Sequence, residues 1–214
     1  MPKISNMEFN EKQIRILTVV EKLFSELGFD GTSLRQIAKE ADINIAMVSY
    51  YFGSKEKMLE SLIQYRMGDF RLQMDAVMKN DELDYLQRID KIIEMLIKRM
   101  YKNRRIYKIV HFEYSSKSRS KIDFKCYVDQ KKETYALIKN FIENGQEAGV
   151  YSKNINIGLV IPTILGTFFH FLYNQQFFAE LYTIDDEDSL KKFTTTTLTQ
   201  HIQQTIKALL TNEK

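Results

Sequence analysis

The chain has 214 residues, 44% of them hydrophobic, and its 31 Lys and Arg stand against 28 Asp and Glu for a net charge of +3. That length buries a core without staples, and the ordinary mix excludes a disordered or fibrous chain. The single cysteine, Cys126, excludes an internal disulfide and a thiolate zinc cage, while a net charge this small does not by itself point to a polyanionic partner. Only two prolines and eight glycines, with few alternating β-branched runs, predict an all-α protein.

Residues 1–9 carry no periodicity and read as a tail. From about Asn10 to Leu27 a helix is expected, because Ile14, Leu17, Val20, Phe24 and Leu27 form one stripe and Gly28 stops it. Gly28 to Gly31 form the turn. Thr32 or Ser33 then caps a short helix whose apolar positions, Leu34, Ile37, Ala38 and Ala41, recur at i, i+3, i+4 and i+7. Asp42, Ile43 and Asn44 interrupt that pattern, Asn44 offers a second cap, and Val48 and Phe52 open another short helix. Two helices joined by so tight a turn cross steeply, which is the geometry of a helix-turn-helix.

Further along, Met58, Leu59, Leu62, Ile63, Phe70, Met74 and Val77 hold a helical stripe from Ser54 to about Lys79, so one long helix is expected there. Asn80 to Asp84 breaks it, and Leu86 to Met100 repeats the pattern. After a break at Arg104 and Arg105, Ile106 to Tyr114 reads as a short helix, Ser115 to Ser120 as a polar loop, and Ile122 to about Asn144 as a longer helix closed by Gly145 or Gly149. The most apolar segment is Ile157 to Tyr182. Pro162, His170, Asn174 and two glutamines interrupt it before it could cross a bilayer, so it is expected to be a buried helix, within a core or between subunits. Asp185 to Asp188 suits the dipole at the start of a last helix running to about Leu210.

In the helix-turn-helix, Val48 and Phe52 face inward, which leaves Ile45, Ala46, Met47, Ser49 and Tyr50 outward. Small and apolar side chains permit close approach to thymine methyls, and the hydroxyls of Ser49, Tyr50 and Tyr51 reach bases or phosphates. Arg35 is the candidate for a two-pronged contact to guanine. Ser54 opens the next helix, whose free amides form a phosphate-binding corner with Lys55. Residues 1–57 hold eight basic and eight acidic side chains, so phosphate contacts must also come from amides, hydroxyls and helix N-termini.

The leading helix ending in Leu-Gly-Phe, the run Gly-Thr-Ser-Leu-Arg-Gln-Ile-Ala and the segment Tyr-Tyr-Phe-Gly-Ser-Lys-Glu-Lys-Met-Leu resemble the DNA-binding head of the tetracycline-repressor (TetR) family. The resemblance implies an all-α fold: a three-helix head at residues 1–53 and a six-helix ligand-binding and dimerisation bundle at 54–214. It carries DNA contacts onto Thr32, Ser33, Arg35, Asn44, Ile45, Ala46, Met47, Ser49, Tyr50, Tyr51 and Lys55. It further implies a homodimer through the last two helices on a palindromic double-stranded operator, and a small, partly apolar effector. Aromatic and methionine side chains on the helices that enclose such an effector are Met67, Phe70, Met74, Met95, Met100, Tyr107, Phe112, Phe124, Tyr127 and Phe168, with His170 as a polar anchor. Members often carry Lys, Gln or Thr where this chain has Ile45 and Met47, and Tyr where it has Ser49. Base readout therefore shifts toward Arg35, Tyr50 and DNA shape.

No cofactor, metal or membrane is implied. His111, His170 and His201 lack zinc-ligand spacing, and His111-Phe112-Glu113 matches the His-x-Glu of zinc deaminases without the Pro-Cys-x-x-Cys that should follow. Cys126 is expected to be buried and inert. No Walker loop, nucleotide-binding glycine fingerprint or serine elbow is present, so a non-enzyme is expected. With no apolar leader at its start, the chain is expected in the cytoplasm. Two readings remain: a ligand-responsive repressor, or a DNA-bound helical scaffold that recruits another protein.

Overall fold

The computed structural model describes residues 9–67, 70–115 and 122–212, all of them helix, turn or coil. The chain divides into two compact units, Met1–Phe70 with Asn103–Lys132, and Arg71–Lys102 with Glu133–Lys214. The expected boundary at 53/54 falls inside the first unit, because helices from both sides of it close over α1.

In the first unit, α1 (Glu11–Leu27) starts at a capping box: the Asn10 side chain accepts from the Gln13 amide, and the Gln13 side chain from the Asn10 amide. The helices α2 (Leu34–Glu40) and α3 (Ile45–Phe52) follow, then α4 (Lys55–Met67) and α7 (Arg104–Ser115), both packed on α1. Leu17, Val20, Phe24, Ile37, Val48, Phe52, Met58, Leu62, Ile106 and Val110 meet in one core. Each side chain of this size contributes about 1.5–3 kcal/mol on burial. One charged group joins them: Glu21 is 6% exposed and accepts from Arg66 Nε and Nη2 at 2.9 and 2.6 Å, tying α1 to α4.

The expected helix 54–79 is seen as α4 and α5 (Phe70–Met78), and residues 68 and 69 lie outside the described residues, as does most of the expected loop 115–120. In the second unit, α6 (Tyr85–Lys102) packs on α12 (Thr199–Thr211), and α12 on α9 (Ile157–Tyr173). Met74, Ile93, Ile97, Met100, Phe168 and Ile206 are fully buried there. At the end of α8 (Lys125–Glu147), Tyr151 seals a corner: its ring packs on Tyr85 and Phe141, and its hydroxyl donates to the Tyr85 carbonyl at 2.7 Å.

Two departures from the expected helices have local causes. The apolar run 157–182 is split at Asn174, whose backbone and side-chain amides both donate to the His170 carbonyl; α10 (Gln175–Tyr182) then leaves α9 at 80°. Among the described residues no single helix is long and apolar enough to cross a membrane. The last helix is α11 (Glu187–Phe193) continued through a π-turn, Thr194–Leu198, into α12. Thr194, Thr195 and Thr196 each donate their hydroxyl to the carbonyl four residues back, and Thr199 donates to the Thr194 carbonyl at 2.8 Å. Three consecutive threonine hydroxyls, joined by that of Thr199, compete for backbone carbonyls and loosen the α ladder into the wider turn.

Candidate nucleic-acid interface

Each helix terminus of the helix-turn-helix is held by a side chain or turn that the local sequence supplies. Ser33 caps α2, its Oγ accepting from the Gln36 amide at 3.2 Å while Gln36 Oε1 accepts from the Ser33 amide and hydroxyl. After Ala41 the chain enters the left-handed region at Asp42, φ 53°. The Ile43 amide donates to the Ala38 carbonyl at 3.0 Å, and the Asp42 amide to the Lys39 carbonyl at 3.2 Å. That pair of bonds is a Schellman motif with Asp where glycine is commoner; Asp tolerates this backbone better than most residues. Asn44 caps α3, accepting from the Ala46 amide at 2.8 Å. Gly53, φ 76°, returns the chain at the end of α3 and donates to the Ser49 carbonyl; Ser54 Oγ then accepts from the Lys57 amide at the start of α4.

Val48 and Phe52 seat α3 in the core, so its other side faces solvent. Ile45, Ala46, Ser49 and Tyr50 are exposed, Tyr50 at 79%, and Met47 is half-buried. Tyr50 meets Tyr51 edge-on at 5.3 Å, and Tyr51 leans on the core. On α2 the Arg35 guanidinium is exposed and makes no hydrogen bond or ion pair among the described residues. Ser33, Arg35, Asn44, Ile45, Ala46, Ser49 and Tyr50 thus lie on the solvent-facing side of one rigid pair of short helices.

Two residues grouped with them by sequence are turned inward. Thr32 is 1% exposed, and its hydroxyl donates to the Gly28 carbonyl at 2.8 Å. It locks the turn between α1 and α2 and offers nothing to solvent. Lys55 directs its ammonium into that same turn, donating to the carbonyls of Phe29 at 2.7 Å and Thr32 at 3.0 Å, 4.4 Å over the Phe29 ring. A turn that exposes carbonyls attracts a cation, so Lys55 braces α4 against α2 first and has one N–H left for a phosphate. Sequence spacing could not find the Lys55 role, since both carbonyls lie more than twenty residues from it.

The body residues separate by unit. In the first, Met67, Tyr107, Phe124 and Tyr127 are half-buried against the head core, and Phe112 is exposed. Tyr127 meets Tyr114 at 5.7 Å, and burial, with Tyr107 and Tyr114 beside it, pushes its hydroxyl up to about 12. Phe70 is half-buried at the start of α5. In the second, Met74, Met100 and Phe168 are fully buried core residues, Met95 is half-buried, and His170 is exposed with its ring edge-on to Phe178. Cys126, expected to be buried, is exposed in the first turn of α8. Among the described residues no three His, Cys, Asp or Glu side chains come together as a metal site.

An all-α chain carrying a capped pair of short, mutually packed helices with a solvent-facing second helix has the architecture of a helix-turn-helix. Residues 16–62 match the model of the bacterial regulatory proteins of the tetR family. Over that segment the chain carries the DNA-binding domain of the TetR family. Over 49 residues it is 47% identical to the probable HTH-type transcriptional regulator YttP of Bacillus subtilis, covering 23% of this chain and 24% of that protein. Over 103 residues it is 32% identical to the nucleoid occlusion factor SlmA of Haemophilus influenzae, covering 48% and 47%. The chain therefore spans less than half the length of these curated relatives. The fold extends further: the transcriptional regulator FadR of Bacillus subtilis, solved in complex with stearoyl-CoA, superposes with a TM-score of 0.70 over 92% of this chain and 98% of that one, at 17% identity.

Proposed function

We propose that this chain is a transcriptional repressor that binds a palindromic DNA operator as a homodimer and is released by a small, partly apolar effector. The observation that carries the reading is the free face of α3 with Arg35 beside it, presented by helix ends that are all capped. Residues 1–53 are the reading head and 54–214 the effector and dimer region. One recognition helix reads only a few base pairs, so two heads about 34–36 Å apart are required for a specific site.

The second unit supplies a face for the twin chain. No Asp, Glu, Lys or Arg occurs from residue 154 to 179 or from 193 to 206. The exposed side of α9 presents Leu159, Gly166, His170 and Tyr173, and that of the π-turn and α12 presents Thr197, His201, Thr205 and Leu209. Solvent-facing helical stretches without charge are built to be covered, and in this reading the last two long helices are the ones that pair. For the effector, the half-buried aromatics Tyr107, Phe124 and Tyr127 with Met67 form the wall nearest the head core, where an apolar guest acts on α1 and α4. The stearoyl-CoA bound by FadR is of this chemical kind. A coupling of about 1–3 kcal/mol between the two sites changes operator affinity by roughly 5- to 150-fold.

Selection of bound sequences from a random duplex pool tests the reading, with Arg35→Ala beside the native protein. A palindrome is expected from the native chain, relaxed at one guanine per half-site in the mutant and at a cost of about 1–3 kcal/mol. Recovery of no motif by the native chain would overturn it. The second reading, a DNA-bound scaffold, draws support from the match to a nucleoid occlusion factor; many scattered sites with no response to acyl-CoA or steroid ligands would favour it.

A further inference from the structure

The short helix α10 has no buried residue, yet half of its eight side chains are large and apolar. Phe178 and Tyr182 turn one pair onto the second unit: Phe178 meets Phe171 at 5.2 Å, and Tyr182 meets Phe193 at 4.7 Å. Phe177 and Leu181 form the other pair, at i and i+4 on one side of the helix, and are 61% and 58% exposed. The Phe177 ring rests edge-on against Phe178 of its own helix. Glu180 is the one charge on α10, so this outer side is an apolar pair with a single carboxylate beside it.

The approach to this pair is also without charge, since no Asp, Glu, Lys or Arg occurs from residue 154 to 179. The uncharged side of α9 borders α10: exposed His170 meets the Phe178 ring at 5.9 Å, while Phe171 holds that ring from the buried side. At the other end of α9, the Ser152 amide donates to the Leu210 carbonyl at 2.7 Å. The end of α12 therefore lies beside the chain that enters α9, and because the two helices pack together they run antiparallel. Leu159, 57% exposed, and Leu209, 38% exposed, belong to that end. Between the ends the solvent side of α9 carries Gly166, where an added methyl would meet no atom of this chain within 4 Å. Exposed apolar side chains thus stand at both ends of the α9 and α12 pair, with a small residue between them.

We propose that Phe177 and Leu181 of α10 are a clasp for a second copy of this chain, seated on Leu159 and Leu209 of the partner subunit. The inference rests on the dimer reading above and assigns which ends meet. A two-fold axis across the helices brings each end of one chain onto the opposite end of the other, so the same contact is made twice. An unrelated partner on α10 would need no matching apolar pair at the far end of α9; a second copy does, and the pair is there. Large apolar side chains at both ends supply the anchors of such an interface, and Gly166 lets the helices approach closely between them.

Sedimentation equilibrium of the full chain tests the proposal. The native chain is expected as a dimer, and Phe177→Glu with Leu181→Glu should raise its dissociation constant at least about tenfold, while Leu72→Glu, at a side chain 62% exposed on α5, leaves it within about twofold. Disulfide trapping in a Cys126→Ser background probes the same contact without adding charge. A chain carrying Leu181→Cys, allowed to exchange subunits with one carrying Leu159→Cys, should give a covalent dimer that neither gives alone. A glutamate variant that dimerises as the native chain does overturns the proposal, as does trapping by Leu181→Cys alone, which would set α10 against its own copy. Gly166→Arg separates this failure from failure of the dimer reading: if it dissociates while the α10 variant does not, only the clasp is lost, whereas a monomeric native chain removes both.

Discussion

The two compact units hold their helices by different means. In the first, a polar group sits at nearly every helix end: Asn10, Ser33 and Asn44 cap, Asp42 takes the left-handed turn, Lys55 fills the carbonyl-lined turn, and Arg66 neutralises buried Glu21. In the second unit, long helices meet mainly through rings and aliphatic side chains, with a few polar ties from Gln203 and Lys207 to Asp90 and from Tyr101 to Glu187. Tyr85, Phe141 and Tyr151 close one corner, and Phe171, Phe178, Tyr182 and Phe193 another. Directional bonds define angles, as a reading head must; non-directional packing tolerates repacking, which suits a region that changes partners or shape.

The largest effect expected from breaking that contrast is at Arg66→Met, which keeps the packing but strands the Glu21 carboxylate. Because Arg66 is itself partly exposed, the loss should lie near the low end for broken buried pairs, about 3 kcal/mol, and urea melts of the variant measure it. A loss under about 1 kcal/mol would mean that the pair is dispensable to the head. Next comes Gly145→Ala in the second unit, where the added methyl would stand 2.2 Å from Tyr151 Cδ2; overpacking of this kind costs about 1–3 kcal/mol. Thermal melts should fall accordingly, with the Tyr151 ring displaced from Tyr85.

Asn44→Ala removes a cap at the reading helix itself. About 1 kcal/mol of stability should go, and duplex affinity should drop more than global unfolding shows, since the first turn of α3 frays. The smallest effect is at Glu113, whose carboxyl is raised by burial, with Asp30 adding to the rise. A raised folded pKa means that the protonated form is favoured in the folded state. The contribution of this group is therefore intact below its unfolded value and lost as pH rises through its folded one. Glu113→Gln should leave melting unchanged near pH 4 and raise it slightly at pH 7; a lower melting temperature at pH 7 would reverse the assignment.

Much of the head could be read from its residues because its constraints are local. The caps Ser33 and Asn44 lie within three residues of the amides they satisfy, and Ile37, Ala38, Val48 and Phe52 recur at helical spacing, so the order of helices and the solvent-facing residues of α3 follow from the chain alone. The split at Asn174 was hidden, since a continuous apolar run from Ile157 looks like one helix until Asn174 closes on the His170 carbonyl. The threonine run reads as helix by periodicity, and the bonding of the Thr194, Thr195, Thr196 and Thr199 hydroxyls to backbone carbonyls is what accompanies its π-turn.

By itself the sequence determined the all-α class, the helix-turn-helix and the charge-free late helices, because propensity, capping and hydrophobic period act over a few residues. Tertiary structure alone decided that Thr32 and Lys55 turn inward, that Glu21 is buried against Arg66, and that Cys126 faces solvent. The placements of Lys55 and Glu21 depend on groups brought close from distant positions in the chain. The free energy of burying a charge or hydroxyl is set by the partner found there, which no local pattern encodes.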